Sequence, residues 1–579
     1  MTGPVSTYLV SSGASSLQCT WSAPSQIDGV PLGYLLTPTG GTTNPVPVYV
    51  PAQQTSVWLT GLEPGTVYLV SIELWTTQGP GSSVGASNAT TAGADNLSNG
   101  AFWNPSFQVG PIWIAGQSLA KVDLKAFLSQ GGGQYTMEVT QNWARQGDTA
   151  QFYLYDQHAD GVLSFAVQNL ASVTLIDTTI NKTIFGGLCS DPKFMWVSPN
   201  DTVWNLSCQD WTLYADTAPV HGEYSNQTVD AIILDMVTQA NCGLTAESVS
   251  NGGYIYPGPT IPYYRASYVS LSDGLKQLMN YAAQQSEVGW WVDENLAVHF
   301  SNMSQAPLTG ILFTNVETDG EMSPSLSYYK LSNQFYYEMD GTQVYTGATI
   351  RGINLSLDQD MLLFGNGSTA AWPVTYAVNE SAGSAAHGVG TVHVGAIWKV
   401  NKKTGIGKWT GGVLYEIQLT PGSPWYFEQN LDLSWTLHAS SPPGPGIACN
   451  VQYRAWNPIV AQYQNYALAN AIGGANNGLF YKMKTDSSLP SYSAAYSVAQ
   501  SYVATYGVAQ ERPFFETVEG WTGHIRAGEQ FSFKNSLVPD SQNNYLPGLI
   551  SQFLAVQVTM RIQNSVYRTY QVQGVRISG

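Results

Sequence analysis

Short segments in which apolar and polar residues alternate recur along most of this 579-residue chain. Residues 17–21, 68–74 and 173–177 are examples, and turns rich in Gly and Asp separate such segments. A period of two puts successive side chains on opposite faces, so each segment predicts a half-buried β-strand. Charged residues make up 11 % and aromatic residues 12 % of the chain, a composition that favours strands joined by turns. The sequence therefore predicts a mainly β protein with a minor α+β part.

The spacing of these segments divides the chain into several parts. The length allows about three to five domains, at about 100–200 residues per domain. A small-polar linker near residues 92–100 separates the first strand group from the next. The predicted parts are a β-sandwich (1–93), a small β-barrel (100–215), an α+β domain (216–305), further strands (306–345), a β-rich region with a helical return segment (346–509) and a last strand group (510–579).

Two helices interrupt the strand pattern in the α+β domain. The first has an apolar stripe at helical spacing, formed by Val229, Ile232, Ile233, Met236 and Val237. Asn226 or Thr228 is expected to cap its start, and Gly243 to end it. The second stripe consists of Leu275, Leu278, Met279 and Ala282. Ser270 or Ser272 is the expected cap of this second helix.

The α+β domain also holds the residues that come nearest to a catalytic set. Glycoside hydrolysis needs two carboxylates across a cleft, and the candidates are Glu223, Asp230, Asp235, Asp293 and Glu294. Asp230 and Asp235 fall on a helix, where a solvated face is the ordinary location of a carboxylate. Asp293 and Glu294 fall in the turn of a predicted hairpin at 290–300, and His299 alternates with Phe300 on its second strand, which favours packing. The sequence has no HExxH or P-loop motif and no Cys/His cluster, so we expect no enzyme and no catalytic, cofactor-binding or metal-binding residues.

The formal net charge of −17 bears on nucleic-acid partners. Binding to nucleic acid needs Lys and Arg to displace counterions from phosphates, so a tight grip on DNA is not expected. An acidic surface still suits a path along which a polyanion slides without adhering.

Cysteine usage and the N-terminus indicate the compartment. The five cysteines are scattered and form no CxxC pair, so they predict buried reduced thiols; they are Cys19, Cys189, Cys208, Cys242 and Cys449. Residues 1–6 lack a basic and then apolar leader, and no run approaches the ~20 apolar residues of a membrane span. We expect a protein made in the cytoplasm, without a membrane span, that stays there or leaves without a signal peptide.

The segment Leu-Glu-Pro-Gly-Thr-Val-Tyr at residues 62–68 is the most specific feature of the first part. A leucine, a Pro-Gly turn and a tyrosine entering the next strand match the corner of sandwich domains where the tyrosine hydroxyl bonds the backbone. With Trp21 on an early strand, residues 1–93 resemble a fibronectin type III domain. This resemblance implies an adhesive or spacer module and no chemistry.

The order of motifs from residue 100 onward resembles the central hub proteins of tailed-phage baseplates and tail tips. The positions that carry it are Phe185-Gly186, Asp210-Trp211, Glu223-Tyr224, Asn226, Thr228, Ser272 to Leu275, Leu278, Trp291 to Asp293, His299-Phe300, Tyr506-Gly507, Gly528-Glu529, Leu554 to Val556 and Tyr570 to Val572. The resemblance implies two tail-tube-like β-barrels per protomer, the second split into 306–345 and 510–579 around an inserted domain at 346–509. It implies a homotrimer that joins a sixfold tail tube to a threefold tip.

The same resemblance implies the partners and location of the protein. They are the tail tube, the distal tail ring and tail-tip or fibre proteins, at the distal end of the virion tail, after assembly in the host cytoplasm. DNA would pass through without specific binding. The alternative hypothesis is a cell-surface or carbohydrate-binding adhesion protein that acts through the fibronectin-like domain on host-surface glycans, with Trp58 and Trp75 as candidate contacts.

Overall fold

A computed structural model describes most of the chain. The described residues are 6–11, 15–90, 105–129, 136–143, 147–158, 161–178, 180–282, 288–314, 327–340, 344–374, 376–379, 390–395, 398–400, 407–409, 415–419, 422–430, 434–473, 478–486, 489, 491–507, 510–517, 523–535, 549–563 and 567–577. They form two compact units, one of residues 1–344 and 504–579 and one of residues 345–503.

A two-layered β-sandwich opens the first unit. Its strands are β1 (Thr7–Ser11), β2 (Ser16–Trp21), β3 (Pro31–Thr39), β4 (Val48–Pro51), β5 (Ser56–Thr60), β6 (Val67–Thr76), β7 (Gly79–Pro80) and β8 (Val84–Ala89). Strands β1, β2 and β5 form one layer, and β4, β3, β6 and β8 pair in the other. Trp21 and Tyr34 meet edge to face between them, with ring centroids 5.2 Å apart. The backbone N–H of Glu63 donates to the Tyr68 hydroxyl at 2.9 Å, so the predicted tyrosine corner is confirmed.

The second layer of the sandwich is buried on its inner face and on part of its outer face. Its outer face supplies Leu32, Leu35, Tyr49 and Trp75 to the hydrophobic core of the sheet that follows in the chain. Val48 pairs in parallel with Asp123 of that sheet, and the Tyr49 hydroxyl donates to the carbonyl of Ser164 at 3.2 Å. The sandwich therefore packs directly against the next part of the chain.

That next part is a curved antiparallel sheet, which we call the first sheet. Its strands are β9 (Pro105–Ile114), β10 (Gln117–Leu119), β11 (Val122–Asp123), β12 (Met137–Asn142), β13 (Thr149–Gln157), β14 (Ala166–Asp177), β15 (Lys182–Ser198) and β16 (Asp201–Asp210). The pairing order is β11-β9-β14-β15-β16-β13-β12. The segment after β11 includes a 3₁₀ turn (Lys125–Phe127) and crosses between strands: Leu124 N–H donates to Phe107 O at 2.7 Å, and Ser129 N–H to Tyr153 O at 3.1 Å.

Six further strands form a closed cycle of pairings, which we call the second sheet. They are β21 (Leu308–Thr314), β22 (Ser327–Asp340), β34 (Gln510–Thr517), β35 (Gln530–Asn535), β36 (Leu549–Gln563) and β37 (Tyr567–Arg576). The cycle runs β21-β22-β34-β37-β36-β35 and returns to β21. Strand β12 of the first sheet also pairs with β36, from Met137 opposite Ile562 to Asn142 opposite Gln557, so the two sheets are continuous.

The α+β part lies in the chain between these two sheets. Its elements are α1 (Thr212–Thr217), β17 (Pro219–Thr228), α2 (Val229–Ala240), β18 (Thr260–Ser270), α3 (Leu271–Ala282), β19 (Val288–Val292) and β20 (Val298–Asn302), with 3₁₀ turns at Val249–Asn251 and Met303–Gln305. The stripe predicted for α2 is fully buried, and Ser270 caps α3 by accepting the N–H of Asp273 at 3.2 Å. Helix α2 ends at Ala240 and is capped by Asn241, whose φ of 44° is left-handed; the prediction that Gly243 ends the helix is therefore wrong. Gly274 lets α3 approach α2, since a Cβ there would lie 2.1 Å from the methyl carbon of Met236.

The second unit is β-rich with two helices. Its elements are β23 (Gly347–Phe364), β24 (Ala371–Val374), β25 (Ala377–Val378), β26 (Gly390–Val394), β27 (Trp398–Val400), β28 (Gly407–Trp409), β29 (Tyr415–Gln418), β30 (Trp425–Gln429), β31 (Trp435–Ala439), β32 (Ala448–Gln464), α4 (Tyr466–Ile472), β33 (Tyr481–Thr485) and α5 (Tyr492–Tyr506), of which the last residues of α5 belong to the first unit. One sheet has the order β29-β26-β32-β23-β33, and a second the order β24-β31-β30. Trp372 and Trp425 stack between strands with centroids 5.5 Å apart.

The predicted fold class, mainly β with a minor α+β part, is confirmed. The individual domain boundaries remain predictions. Within the described part of the chain, no helix is long and apolar enough to span a bilayer. The five cysteines are free thiols, and four of them are buried.

Candidate functional site

A buried ionic cluster joins the first sheet, the α+β part and the second sheet at the side chain of Arg526. Arg526 lies on the segment before β35, and its guanidinium forms an ion pair with Glu294 of the β19–β20 turn. It also lies 3.4 Å from the carboxylate of Asp148, just before β13, and donates to the carbonyl of Val292 at 3.5 Å. The three charged side chains are 6–13 % exposed. One guanidinium therefore contacts carboxyl groups from two different parts of the fold.

A third carboxyl group, that of Asp210, extends this cluster into the first sheet. The backbone N–H of Asp148 donates to Asp210 Oδ2 at 2.9 Å, and Thr212 N–H donates to Asp210 Oδ1 at 3.1 Å. Burial raises the pKa of Asp148 well above its usual range, and the nearby Asp210 raises it further. Burial also raises the pKa of Asp210, to about 6. Burial disfavours the charged guanidinium, but Glu294 and Asp148 outweigh this and raise the pKa of Arg526.

Three stacked rings lie next to the cluster. His299 packs between Trp291, at a centroid distance of 4.6 Å, and Tyr254, at 3.9 Å. Its Nε2 lies 3.2 Å from Asp293 Oδ2. Asp293 Oδ1 accepts the backbone N–H groups of Asn295 and Ala297 at 2.9 and 2.8 Å, which shapes the hairpin turn. Burial lowers the pKa of His299; at Asp293 the bonds from His299 and the backbone outweigh burial and lower the pKa.

The ionic cluster and the ring stack border a cleft of about 660 Å³. Its lining comes from the start of β15, the loop before β18, the β19–β20 hairpin and the segment before β35. The lining residues are Asn181, Lys182, Thr183, Gly253, Tyr254, Tyr256, Trp291, Asp293, Glu294, Asn295, His299, Ser301, Pro307, His524, Arg526, Ala527, Gly528 and Glu529. Ser301 is 3 % exposed, and its Oγ has no hydrogen-bond partner among the described residues.

Of the carboxylates considered as catalytic candidates, only Asp293 and Glu294 reach this cleft. Glu223 forms an exposed ion pair with Arg265 at 3.2 Å. The other two lie on α2: Asp230 accepts the N–H of Gly258 at 3.2 Å, and Asp235 accepts the hydroxyl of Tyr224 at 2.7 Å. These three therefore have local structural partners outside the cleft.

The two cleft carboxylates are also engaged. Asp293 accepts from His299 and from two backbone N–H groups, and Glu294 pairs with Arg526. His299 is held between two rings, in agreement with the packing role predicted for it. Within the described ranges, no group of three or more His, Cys, Asp or Glu side chains has the geometry to hold a metal ion. The arrangement is suited to fastening parts of the fold together.

Sequence reasoning did not identify Arg526 or Asp148. Asp210 and Glu529 were named as matching positions, but nothing in the local pattern predicts that Arg526 approaches Asp148, because these two residues are 378 positions apart. The two tryptophans named as candidate sugar contacts differ in exposure. Trp58 is 38 % exposed, whereas Trp75 is 3 % exposed and lies in the core between the sandwich and the first sheet. The proposal of Trp75 as a surface contact is therefore wrong.

The first comparison with known proteins concerns the N-terminal sandwich. The family model of the fibronectin type III domain matches residues 3–91. Together with the tyrosine corner, this match identifies the sandwich as a fibronectin type III domain, as the sequence predicted. No curated protein matches the chain.

Solved structures of tail proteins are similar to a larger part of the chain. The 43 kDa tail protein of prophage MuSo2 from Shewanella oneidensis is 10 % identical, with 81 % of this chain and 98 % of that chain covered and a TM-score of 0.44. A tail protein from Neisseria meningitidis is 8 % identical, with 82 % and 97 % covered and a TM-score of 0.41. An E. coli component of the type VI secretion system, described as similar to T4 phage tail proteins, is 8 % identical, with 76 % and 73 % covered and a TM-score of 0.30.

Proposed function

We propose that this protein is a structural component of a tailed-phage virion: a homotrimeric hub at the distal end of the tail. It joins a sixfold tail tube to a threefold tip and lines the path by which DNA leaves. The observation that carries the proposal is the pairing of β12 with β36, which holds two β-sheets side by side in one protomer. Each of the two sheets has six long strands. Because each protomer contains two such sheets, three copies would present six.

An exposed apolar segment supports a role in assembly. Phe194, Met195, Trp196 and Val197 are consecutive on β15 and each is 57–63 % exposed. Because successive strand residues point to opposite faces, both faces of this segment, which we call the arm, are apolar. Such a contiguous patch on a protein surface typically marks a contact with another protein. We propose that the arm contacts a neighbouring protomer or the adjoining tail ring.

In this proposal the fibronectin type III domain supports the first sheet and does not act as an adhesin. One face of its second layer is covered by the first sheet, through Tyr49 and Trp75. We propose no enzymatic role, since Asp293 and Glu294 are engaged in hydrogen bonds and an ion pair. Clearance of peptidoglycan or polysaccharide in a zymogram would contradict that part of the proposal.

Native mass spectrometry of the full chain tests the proposal. We expect a trimer, and co-sedimentation with tail-tube rings from the same phage. Trp196→Ser is expected to weaken the trimer or the ring contact without loss of fold, whereas Tyr8→Ser, at a residue 66 % exposed on the sandwich, is the matched control. A folded protein that stays monomeric and binds no tail-tube ring would overturn the proposal.

A further inference from the structure

The cleft beside the ring stack has a fixed aromatic wall. Tyr254 is 45 % exposed, so part of its ring is open to a ligand, while His299 packs on its other side at 3.9 Å. His299 in turn rests on Trp291, which is 5 % exposed. The Tyr254 ring therefore cannot turn away without the loss of its stacking contact with His299. A rigid, partly open aromatic ring at the edge of a cleft loses little conformational freedom when a ligand packs on it.

The same cleft holds a polar group that the protein leaves unused. Ser301 lines the cleft, and its buried Oγ has no hydrogen-bond partner within the described part of the chain. A buried hydroxyl without a partner costs free energy, and a ligand hydroxyl that bonds to it would recover that cost. Ser301 lies two residues after His299 on β20, so both side chains project from the same face of the hairpin.

The charges of the cleft argue against an anionic ligand. Its lining has three carboxylates (Asp293, Glu294 and Glu529) and two cations (Lys182 and Arg526). The pKa of His524 is lowered to about 3, chiefly by burial, and burial also lowers that of His299, so neither imidazole adds positive charge at neutral pH. The ligand that fits an open ring face, an unused hydroxyl and a slight negative excess is uncharged and rich in hydroxyl groups.

We infer that this cleft binds a neutral oligosaccharide, with one sugar ring packed on Tyr254 and a sugar hydroxyl bonded to Ser301. A volume of about 660 Å³ lies within the usual range of small-ligand pockets, about 300–1,000 Å³. This site is separate from the fibronectin type III domain, and the inference does not depend on the proposed role as a tail hub.

Isothermal titration calorimetry of the full chain with maltotriose, cellotriose, chitotriose, mannotriose and sialyllactose tests the inference. We expect at least one neutral trisaccharide to bind with a Kd at or below about 1 mM, a weak affinity in absolute terms. Tyr254→Ala should weaken that binding at least tenfold and Ser301→Ala about threefold to tenfold. Trp58→Ala, at an exposed tryptophan of the sandwich, should leave it unchanged.

Three results would overturn the inference. They are the absence of binding to every neutral trisaccharide, binding to sialyllactose alone, and binding that survives both cleft variants. Ser301→Ala removes a single oxygen and keeps the strand, so it decides the matter even where Tyr254→Ala lowers the yield of folded protein. If Trp58→Ala abolishes binding while the cleft variants retain it, the sugar site lies on the sandwich, and this result also contradicts the inference.

Discussion

Arg526 and Glu294 are 232 residues apart in the sequence and form a buried ion pair, with side chains 13 % and 12 % exposed. Glu294 lies in the hairpin turn of the α+β part, and Arg526 lies on the segment before β35 of the second sheet. Asp148 of the first sheet approaches the same guanidinium at 3.4 Å. One side chain therefore contacts two other parts of the first unit in addition to its own.

Replacement of this arginine tests how much the cluster contributes. Arg526→Ala leaves the Glu294 carboxylate buried without its cation, and removal of one partner of a buried pair typically costs about 3–5 kcal/mol. We expect a clear fall in the urea midpoint of the first unit. Arg454→Ala is the control, because its pair with Asp358 is exposed, and exposed pairs contribute about 0–1 kcal/mol. Equal shifts for the two variants would show that the buried cluster is not a fastening point.

The raised pKa values of Asp148 and Asp210 give a pH dependence with a definite sign. A carboxyl whose folded pKa is raised contributes to stability in its protonated form, below its unfolded pKa of about 4, and loses that contribution as pH rises through the folded value, about 6 for Asp210. Asp148→Asn removes the repulsion between the two groups and keeps an oxygen for the N–H of Asn142. The melting temperature of the variant minus that of the unmodified protein should therefore be higher at pH 8 than at pH 5, by on the order of 2 °C.

Calorimetric scans of both proteins at the two pH values measure this difference. Titration of other groups, including His299 and Asp293, contributes to both proteins and largely cancels. Asp358→Asn, at a side chain 83 % exposed in the second unit, should show no such pH-dependent difference. A difference of opposite sign would mean that Asp148 is ionised and held by Arg526 throughout this range.

Helix α2 offers a matched test of packing on two faces. Ile233 is 0 % exposed, and an aspartate there would put a charge into the core of the α+β part. We expect Ile232→Asp or Ile233→Asp to abolish folding or trimerisation, seen as loss of soluble protein or of the trimer mass. Ala231→Asp on the exposed side of the same helix should be tolerated, because an acidic residue in the first turn is favourable there. Normal trimers from Ile233→Asp would contradict the placement of this helix.

Tyr49 tests whether the fibronectin type III domain is fused to the first sheet. Its ring is fully buried and stacks on Phe127 at 5.7 Å, and its hydroxyl donates to Ser164 O at 3.2 Å. Tyr49→Ala should cost about 3–5 kcal/mol by opening a cavity, whereas Tyr49→Phe should cost only about 1 kcal/mol for the hydrogen bond. Guanidinium unfolding curves compare the two variants. An unchanged curve for Tyr49→Ala would mean that the domain unfolds independently of the sheet.

The sequence predicts those parts of the fold that local periodicity determines. The stripe of α2, the cap at Ser270 and the corner at Tyr68 depend on residues close in the chain, and each is found in the structure. The short helices α1 and α4 have no extended apolar stripe and were not predicted. The pairing of β12 with β36 and the contact of Arg526 with Glu294 depend on chain topology, which no local pattern encodes. The prediction for Trp75 is wrong because the first sheet covers the end of its strand on the outer face, a long-range contact that alternation alone does not reveal.

The pairing of β12 with β36 also determines the order in which the protein can be completed during synthesis. Glu138 and Arg561, which form an ion pair across these strands, are 423 residues apart. At about 5–20 residues per second, the ribosome needs about 20–80 s to deliver β36 after β12 has emerged. Throughout that interval β12 has an open, partly apolar edge, the kind of edge that pairs with other chains. The stability of the folded protein therefore does not predict how well the nascent chain avoids pairing with other chains during translation.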